Sequence, residues 1–322
     1  MADHDNAYKL LFSFAPVVAD LVRGFIREEW VQGLDLSTLE TLSGRYISDG
    51  LRGRENDQVW RVRWGEGQWV YLALEFQSTV DVYMAVRVMV YSGLLYQKLV
   101  RQRELPPSGR LPPLVPVVLY NGYRPWRSAE DVADLVEVEP AGLGRPSLRY
   151  RLLDELRLEE SELPPGRNLA AALFRMERSH SLRRVAGVLS DLCEWLREPE
   201  HQSLREAFAV WLTRSFLPSR GVQVNECKEL QEILKMLTQE EEEFGIDFSR
   251  EWVRKGRREG VEEALQTVRR GVLAQLAQRF GPLSDDLSRR VEAIGSPDEL
   301  ATILERILTA RSLAELGLEP TS

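Results

Sequence analysis

The sequence is poor in cysteine and has no long apolar run. Cys193 and Cys227 lie far apart, each within a helical pattern and without metal-ligand spacing, so they indicate neither a zinc site nor a disulfide framework. No stretch of about 18 apolar residues occurs, so no transmembrane helix is expected. The N-terminus has no basic region followed by an apolar core, which predicts no signal peptide and a cytoplasmic protein.

Common catalytic motifs are also missing. The chain contains no Ser-His-Asp or Cys-His arrangement and no glycine-rich loop that could hold a phosphate. The 322 residues carry a net charge of -8, which argues against a protein that binds nucleic acid with its whole surface. The segment from Arg87 to Arg127 nevertheless contains a single acid, Glu104, so positive charge is concentrated there.

Apolar periodicity predicts an α/β region followed by helices. Apolar residues at three- and four-residue steps near the N-terminus indicate a helix. Short or alternating apolar runs bounded by glycine, proline or asparagine indicate strands. The predicted elements are a helix at residues 5–28, a strand at 44–49, a hairpin at 57–77, a helix at 80–103 and a strand at 114–120.

Every element predicted after residue 150 is helical. Gly281-Pro282 should end a helix with an apolar stripe from Val261 to Phe280. This stripe fits homo-oligomerisation through the C-terminal helices, and burial within a local helical bundle explains it equally well. The predicted domains are an α/β domain at residues 1–150, a helical region at 151–250 and a small helical domain at 251–322.

The hairpin prediction fixes which side chains share a face. Gly65-Glu66-Gly67 joins the segments DQVWRVRW and QWVYLALEFQ, and a ladder centred on Glu66 places Asp57 opposite Glu75. One face is then almost wholly apolar, and a one-residue slip would bury charges, which supports this register. A glycine bulge could still shift it by one residue. Gln77 lies one step from Glu75 on the same face.

Opposed carboxylates on neighbouring strands repel each other unless something lies between them. A hard divalent cation such as Mg²⁺ relieves this repulsion, binds one or two carboxylates and leaves room for water and phosphate oxygens. Asp57 and Glu75 therefore indicate a metal site. From spacing alone the alternative stays open that Asp57 lies in a turn and Glu75 is a solvated strand end.

Four segments in order resemble a known family. They are HDNAYKLLFS, NDQVWRVRW, LEFQSTVDVYMAVRVMVY and LPPLVPVVLYNG, and together they cover most of residues 4–125. An aspartate followed at hairpin distance by Glu-x-Gln, within helix, three strands, helix and strand, resembles the PD-(D/E)XK nuclease superfamily. The closer resemblance is to the Rpn family of recombination-promoting nucleases, also labelled putative transposases. The C-terminal tail is similar to a small helical domain often appended to these proteins.

The resemblance implies roles for individual residues. Asp57 and Glu75 would bind Mg²⁺ or another divalent cation, with the carbonyl of Phe76 as a further ligand. Gln77 would occupy the position of the superfamily's lysine, which orients or activates the attacking water. Because Gln77 has no charge, the mechanism would depend more on the metal or on a cation from elsewhere, for which Arg87 is the best local candidate.

Three further residues are candidates for contacts with DNA phosphates. Arg87 and Tyr91 share a helix face at i, i+4 spacing, and Arg87 fits a phosphate or carboxylate contact and a structural ion pair equally well. Tyr91 is also explained by packing of its helix on the sheet. Lys9 could reach the site from the first helix or lie on the surface. The basic segment after Arg87 would supply further phosphate contacts.

The sequence therefore predicts a metal-dependent DNA endonuclease, which the resemblance links to recombination or transposition. A first alternative is a decayed nuclease fold that binds DNA or oligomerises, with Gln77 marking the lost activity. A second is a transposase of the RNase H-like kind, which needs a third carboxylate on a later helix beside a larger mixed sheet. No further strands are predicted after residue 125, which disfavours this second alternative.

Overall fold

The chain divides into two compact units, Met1–Glu251 and Trp252–Ser322. The structure, a computed structural model, describes residues 8–42, 57–137, 144–222, 227, 229–244, 265–266, 268–281, 283–307, 310 and 312–316. The first unit combines a five-stranded sheet with helices, so the predicted α/β class is confirmed. No helix in the described part of the chain is both long and apolar enough to cross a membrane.

The first unit contains all the strands that the structure describes. They are β1 Leu34–Leu42, β2 Asp57–Trp64, β3 Gln68–Gln77, β4 Leu114–Tyr120 and β5 Arg151–Asp154. Its helices are α1 (residues 8–12), α2 Ala15–Phe25, α3 Met84–Gln102, α4 Leu169–Glu177, α5 Leu182–Trp195, α6 Gln202–Trp211 and α7 Leu230–Phe244. A π-helical turn, Leu212–Phe216, and the helical turn Leu217–Ser219 continue α6.

The sheet has the order β1-β2-β3-β4-β5. The first three strands form an antiparallel meander, and β4 and β5 each pair in parallel with the strand before them. A parallel pair needs a crossover connection, and α3 supplies it between β3 and β4. The carboxyl ends of β3, β4 and β5 therefore lie at one edge of the sheet.

The β2–β3 hairpin has the predicted register, from Trp64 opposite Gln68 to Asp57 opposite Glu75. No bulge interrupts this ladder. Gly65 and Gly67 adopt positive φ angles of 55° and 106°, which residues with a Cβ rarely tolerate. The two glycines thus close a three-residue loop that keeps the strands aligned.

The first predicted helix is not continuous. Residues 8–12 are helical, a turn follows, and α2 begins at Ala15. Pro16 lies in the first turn of α2, where its missing N–H is tolerated. In the interior of one long helix the same residue would remove a hydrogen bond and clash with the preceding turn. Predicted residues 5–7 lie outside the described part of the chain.

One strand prediction stays untested, and another prediction is wrong. The predicted strand at 44–49 lies outside the described residues, and the first strand of the sheet is Leu34–Leu42, which was not predicted. Its pairing with β2 shifts between Asp35 and Glu40, so its leucines do not alternate regularly. The prediction that only helices follow residue 150 is wrong, because Arg151–Asp154 forms β5. This four-residue edge strand is too short and too polar to show a strand pattern.

Both faces of the central strands are covered. The predicted apolar face carries Trp60, Leu72 and Phe76, all 3% exposed or less, and Phe76 packs against the ring of Phe12 with centroids 5.3 Å apart. The opposite face, with Tyr71 and the carboxylate of Glu75, lies under α3. The α3 residues that pack on the sheet include Met84, Ala85, Val88, Leu95 and Leu99.

The second unit has its own apolar core. Its described helices are α8 (residues 268–280), α9 Asp285–Ala293 and α10 Pro297–Ile307. In the predicted stripe, Leu265, Val272 and Leu276 are buried in this core. Val261 lies outside the described residues. Gly281 ends α8 with a φ of 84°, as predicted. Local burial thus accounts for the described part of the stripe.

Candidate active site at the carboxyl end of β3

The candidate site is built around Glu75, near the carboxyl end of β3. Its backbone lies directly opposite Asp57 of β2, although the side chain of Asp57 is outside what the structure describes. Glu75 is only 4% exposed. The strand pattern places this carboxylate on the face that α3 covers, so it is buried between the sheet and a helix.

Two donors hold one oxygen of Glu75. Arg87 of α3 lies with its Nη2 2.5 Å from Oε1 of Glu75, and the side-chain amide of Gln77 donates to the same oxygen. Arg87 also binds Asp81, with 2.9 Å between Nη1 and Oδ2. The other oxygen of Glu75, Oε2, is buried and has no hydrogen-bond partner among the described residues. The carboxylate is therefore oriented through one oxygen and available through the other.

The electrostatics of Glu75 result from two opposing effects. Burial raises the pKa of Glu75 to about 7, although Arg87, Gln77 and the charge of Lys9 each lower it. A buried carboxylate prefers the neutral form unless positive charge is nearby. Burial lowers the pKa of Arg87, but the charge of Glu75 and the hydrogen bond to Asp81 raise it above its usual value. Arg87 thus stays charged.

Lys9 lies in α1, close enough for its charge to act on Glu75. The side-chain amide of Gln58 donates to the carbonyl of Lys9 at 2.6 Å and thereby ties α1 to β2. On the other side, the hydroxyl of Tyr8 donates to the buried carboxylate of Glu155, just after β5. These two contacts hold the helical turn that carries Lys9 beside the carboxyl end of the sheet.

The carbonyl of Phe76 points toward the strand that carries Asp57. The carbonyl of the next residue, Gln77, accepts from the N–H of Asn121 on the β4 side at 3.1 Å. Successive carbonyls of a strand point to opposite sides within the sheet, so that of Phe76 faces β2. A main-chain carbonyl and a buried carboxylate oxygen without a partner are hard oxygen donors of the kind Mg²⁺ prefers. The described donors therefore fit a divalent cation.

Tyr91 is part of the same cluster but does not reach Glu75. Its hydroxyl is 3.4 Å from Nη2 of Arg87, which agrees with the predicted placement of both residues on one helix face. Tyr91 also lines an apolar cleft between α3 and the sheet, together with Val88, Leu95 and Val117. The apolar walls of this cleft explain why the carboxylate of Glu75 is poorly solvated.

The structure brings together Lys9, Glu75, Gln77, Arg87 and Tyr91, all of which were predicted from the sequence. It also adds residues that were missed. Asp81 accepts from the N–H of Tyr83 and binds Arg87. It lies in the turn before α3, which begins at Met84 and not at residue 80 as predicted. Gln58 was also missed, because its contact with α1 joins distant parts of the chain.

No group of three or more Asp, Glu, His or Cys side chains suited to a metal occurs within the part of the chain that the structure describes. That part does not include the side chain of Asp57. On the later helices, the buried Glu177 of α4 is ion-paired with Arg220 at 3.1 Å. Its carboxylate is therefore already engaged by a cation, whereas an RNase H-like transposase requires a third carboxylate that can bind a metal.

Comparison with known proteins places the chain in a family. The family described as putative transposase, YhgA-like, matches residues 2–206. The recombination-promoting nuclease RpnD of Escherichia coli O157:H7 is 28% identical over 127 residues, which is 38% of this chain and 48% of RpnD. RpnC of E. coli strain K12 is 29% identical over 121 residues, 37% of this chain and 39% of RpnC. The chain thus spans less than half the length of either relative.

A third relative carries a different description. The putative inactive recombination-promoting nuclease-like protein YjiP of E. coli strain K12 is 29% identical over 90 residues, which is 28% of this chain and 87% of YjiP. No solved structure matches the chain. The family match covers more than half of the chain and agrees with the resemblance of its sequence. The chain therefore belongs to the family of YhgA-like putative transposases and Rpn recombination-promoting nucleases.

Proposed function

We propose that the chain is a metal-dependent DNA endonuclease that promotes recombination or transposition. The observation that carries this proposal is the pairing of Asp57 with Glu75 across β2 and β3. The second oxygen of Glu75, which has no partner among the described residues, and the carbonyl of Phe76 on the β2 side would complete the site. Similarity to proteins named recombination-promoting nucleases supports DNA as the substrate.

The order of the elements supports a PD-(D/E)XK-type core. A helix, α2, is followed by the meander β1–β3, by α3 and by the parallel strand β4. This is the helix, three strands, helix and strand that the resemblance implies. In this proposal β5 extends the core at one edge, and Asp57 and Glu75 occupy the two central strands where the superfamily carries its carboxylates.

Asp57, Glu75 and the carbonyl of Phe76 would hold the divalent cation, most simply Mg²⁺. When bound, such an ion acidifies a water molecule and stabilises negative charge on a phosphoryl group. The described contacts suit such an ion, because Gln77 and Arg87 fix one oxygen of Glu75 and leave the other without a described partner. Arg87 already compensates the charge of Glu75, so it is the second carboxylate opposite it, Asp57, whose charge a divalent cation would balance.

The positive charge that the missing lysine would supply must come from another residue. Arg87 is already paired with Glu75 and Asp81. Lys9 lies close enough to act on Glu75 and is held there through Gln58. In this proposal Gln77 positions the carboxylate, and Lys9 stabilises negative charge on the substrate phosphate.

Nicking of supercoiled plasmid by the purified protein tests the proposal. Cleavage should require Mg²⁺ and should be lost in Asp57→Asn and in Glu75→Gln. Glu66→Gln at the tip of the hairpin is the matched control, because it changes an acid about 20 to 30 Å along the strands from Glu75, and it should cleave like the natural sequence. Equal cleavage by all four proteins would refute the proposed site.

The second candidate function is a decayed nuclease fold that binds DNA or oligomerises. Gln77 carries no charge, and YjiP, a similar protein, is described as inactive. The two candidates differ in one measurable respect. A decayed fold retains DNA or metal binding and shows no divalent-dependent nicking at any pH or with any of Mg²⁺, Mn²⁺ and Ca²⁺.

A further inference from the structure

The loop after β4, residues 121–127, lies directly beside the candidate site. Its first residue, Asn121, donates its N–H to the carbonyl of Gln77 at 3.1 Å. Gly122 then passes so close to the main chain that an added Cβ would lie 2.5 Å from the carbonyl oxygen of Ser78. The loop therefore crosses the chain immediately after Gln77, two residues beyond Glu75.

Residues at the end of β5 and just after it hold this loop in place. Arg157 donates to the carbonyls of Gly122, at 3.2 Å, and Tyr123. Arg157 is itself fixed by Asp154 at 2.9 Å, and the same carboxylate accepts from the main-chain N–H of Trp126. These contacts use main-chain atoms of the loop, so they fix its path and not its side chains.

Three further contacts hold the loop. The hydroxyl of Tyr120 donates to the carbonyl of Arg124 at 2.8 Å. The indole N–H of Trp126 donates to the hydroxyl of Tyr150 at 2.9 Å, and the ring of Trp126 packs edge-on against Tyr120. A loop held at so many points loses little conformational entropy when it binds a ligand.

The loop carries the basic side chains Arg124 and Arg127. Arg127 is exposed, and it has no hydrogen-bonded or ion-paired partner among the residues that the structure describes. Guanidinium groups bind phosphate oxygens in a bidentate manner. The other arginines of the basic segment that follow α3, such as Arg103 and Arg110, precede β4 and lie at the opposite end of the sheet from Gln77.

We propose that loop 121–127 binds the phosphate backbone of duplex DNA next to the candidate site. Within the basic segment from Arg87 to Arg127, this rigid loop is the part that contacts DNA. Arg124 and Arg127 are its phosphate contacts. Arg157 is its positioning residue, since it acts through the main chain of Gly122 and Tyr123. The choice of DNA rests on the proposed function, whereas the choice of a phosphate backbone rests on the loop itself.

Fluorescence anisotropy with a labelled DNA duplex, in EDTA and at low salt, tests this inference without requiring cleavage. Arg124→Ala/Arg127→Ala should raise Kd at least tenfold. The slope of log K against log salt should fall by about 0.9 for each lost phosphate contact. Arg184→Ala is the matched control, because Arg184 is an exposed arginine on α5 without a partner among the described residues, and it should leave Kd unchanged.

The outcomes separate this inference from the proposed function. Loop-dependent binding by a protein that does not nick plasmid would support the loop and refute the nuclease. Nicking by a protein whose DNA binding does not depend on Arg124 and Arg127 would support the nuclease and refute the loop assignment. Absence of DNA binding, or an equal loss with Arg184→Ala, would overturn the loop assignment. A same-length RNA duplex that binds more tightly through the loop would overturn DNA as its ligand.

Arg157→Lys tests the positioning role. Lysine keeps the charge but cannot bridge the carbonyls of Gly122 and Tyr123 with one planar group. We expect a higher Kd and an unchanged salt slope, because the phosphate contacts are retained but are less well positioned. A reduced slope would mean that Arg157 itself binds phosphate.

Discussion

Arg87 and Glu75 form an ion pair between the sheet and α3, with 2.5 Å between Nη2 and Oε1 and side chains 21% and 5% exposed. Removing one partner of such a pair leaves an uncompensated charge in a poorly solvated place, which costs about 3 to 5 kcal/mol when burial is complete. The pair also holds the Oε1 oxygen of Glu75 in place. Stability and the geometry of the site therefore depend on the same contact.

The first prediction concerns the coupling of these two residues. Arg87→Met should lower the free energy of unfolding by about 3 kcal/mol, because Glu75 loses its cation. Arg87→Met combined with Glu75→Gln should recover part of this loss, because the stranded charge is gone. Urea unfolding at pH 8 measures both effects. Strictly additive losses in the double variant would show that the two side chains do not interact.

The second prediction concerns Glu155, which is fully buried and accepts from Tyr8. Burial raises the pKa of Glu155 well above its usual value, while the hydrogen bond from Tyr8 lowers it. The folded state then binds a proton that the unfolded state releases, so stability is present at pH values below about 4.3 and is lost as pH rises toward the folded pKa.

Glu155→Gln removes this titration and keeps an oxygen that can accept from Tyr8. Relative to the natural sequence, the variant should gain stability between pH 5 and pH 8, as measured by denaturant midpoints at each pH. A difference in midpoint that does not vary with pH would contradict the raised pKa of Glu155.

The third prediction compares two glycines. At Gly122 an added Cβ would overlap the hydroxyl of Tyr120 and the carbonyl of Ser78, whereas at Gly93 in α3 it would meet nothing within 4 Å. Gly122→Ala should therefore destabilise the protein by about 1 to 3 kcal/mol. Gly93→Ala should stabilise it by about 0.5 to 1 kcal/mol. Thermal unfolding of both variants tests the pair, and equal shifts would contradict the tight packing of the loop.

The fourth prediction concerns the source of positive charge. If Lys9 replaces the lysine that Gln77 lacks, Lys9→Met should reduce the rate of DNA nicking by about 10²-fold, the usual effect of removing one electrostatic stabiliser. Lys235→Met on α7 changes an exposed lysine and should have no effect on the rate. A normal rate in Lys9→Met would assign the charge to another residue.

Much of the site follows from the sequence because the hairpin is a local structure. Two glycines around Glu66 fix the turn, and alternation then places Asp57 opposite Glu75 and Gln77 on the same face. The Arg87–Tyr91 contact is equally local, since residues four apart on a helix are neighbours. These predictions require no knowledge of distant contacts.

The parts that could not be predicted depend on distant contacts or broken periodicity. The first strand, Leu34–Leu42, has a register shift, which breaks the alternation that identifies a strand. The four-residue β5 gains its stability from pairing with β4 and gives almost no signal of its own. The contacts of Tyr8 with Glu155 and of Gln58 with Lys9 join residues far apart in the chain, so no spacing rule identifies them.

Locating a bound cation tests the proposed metal site at Asp57, Glu75 and Phe76 most directly. In a crystal soaked with Mn²⁺, the anomalous difference map should show one ion about 2.0 to 2.6 Å from Oε2 of Glu75, a carboxylate oxygen of Asp57 and the carbonyl oxygen of Phe76. The same soak of Glu75→Gln should show no ion there. An ion bound at another group of residues, or carboxylates of Asp57 and Glu75 more than about 8 Å apart, would contradict the account.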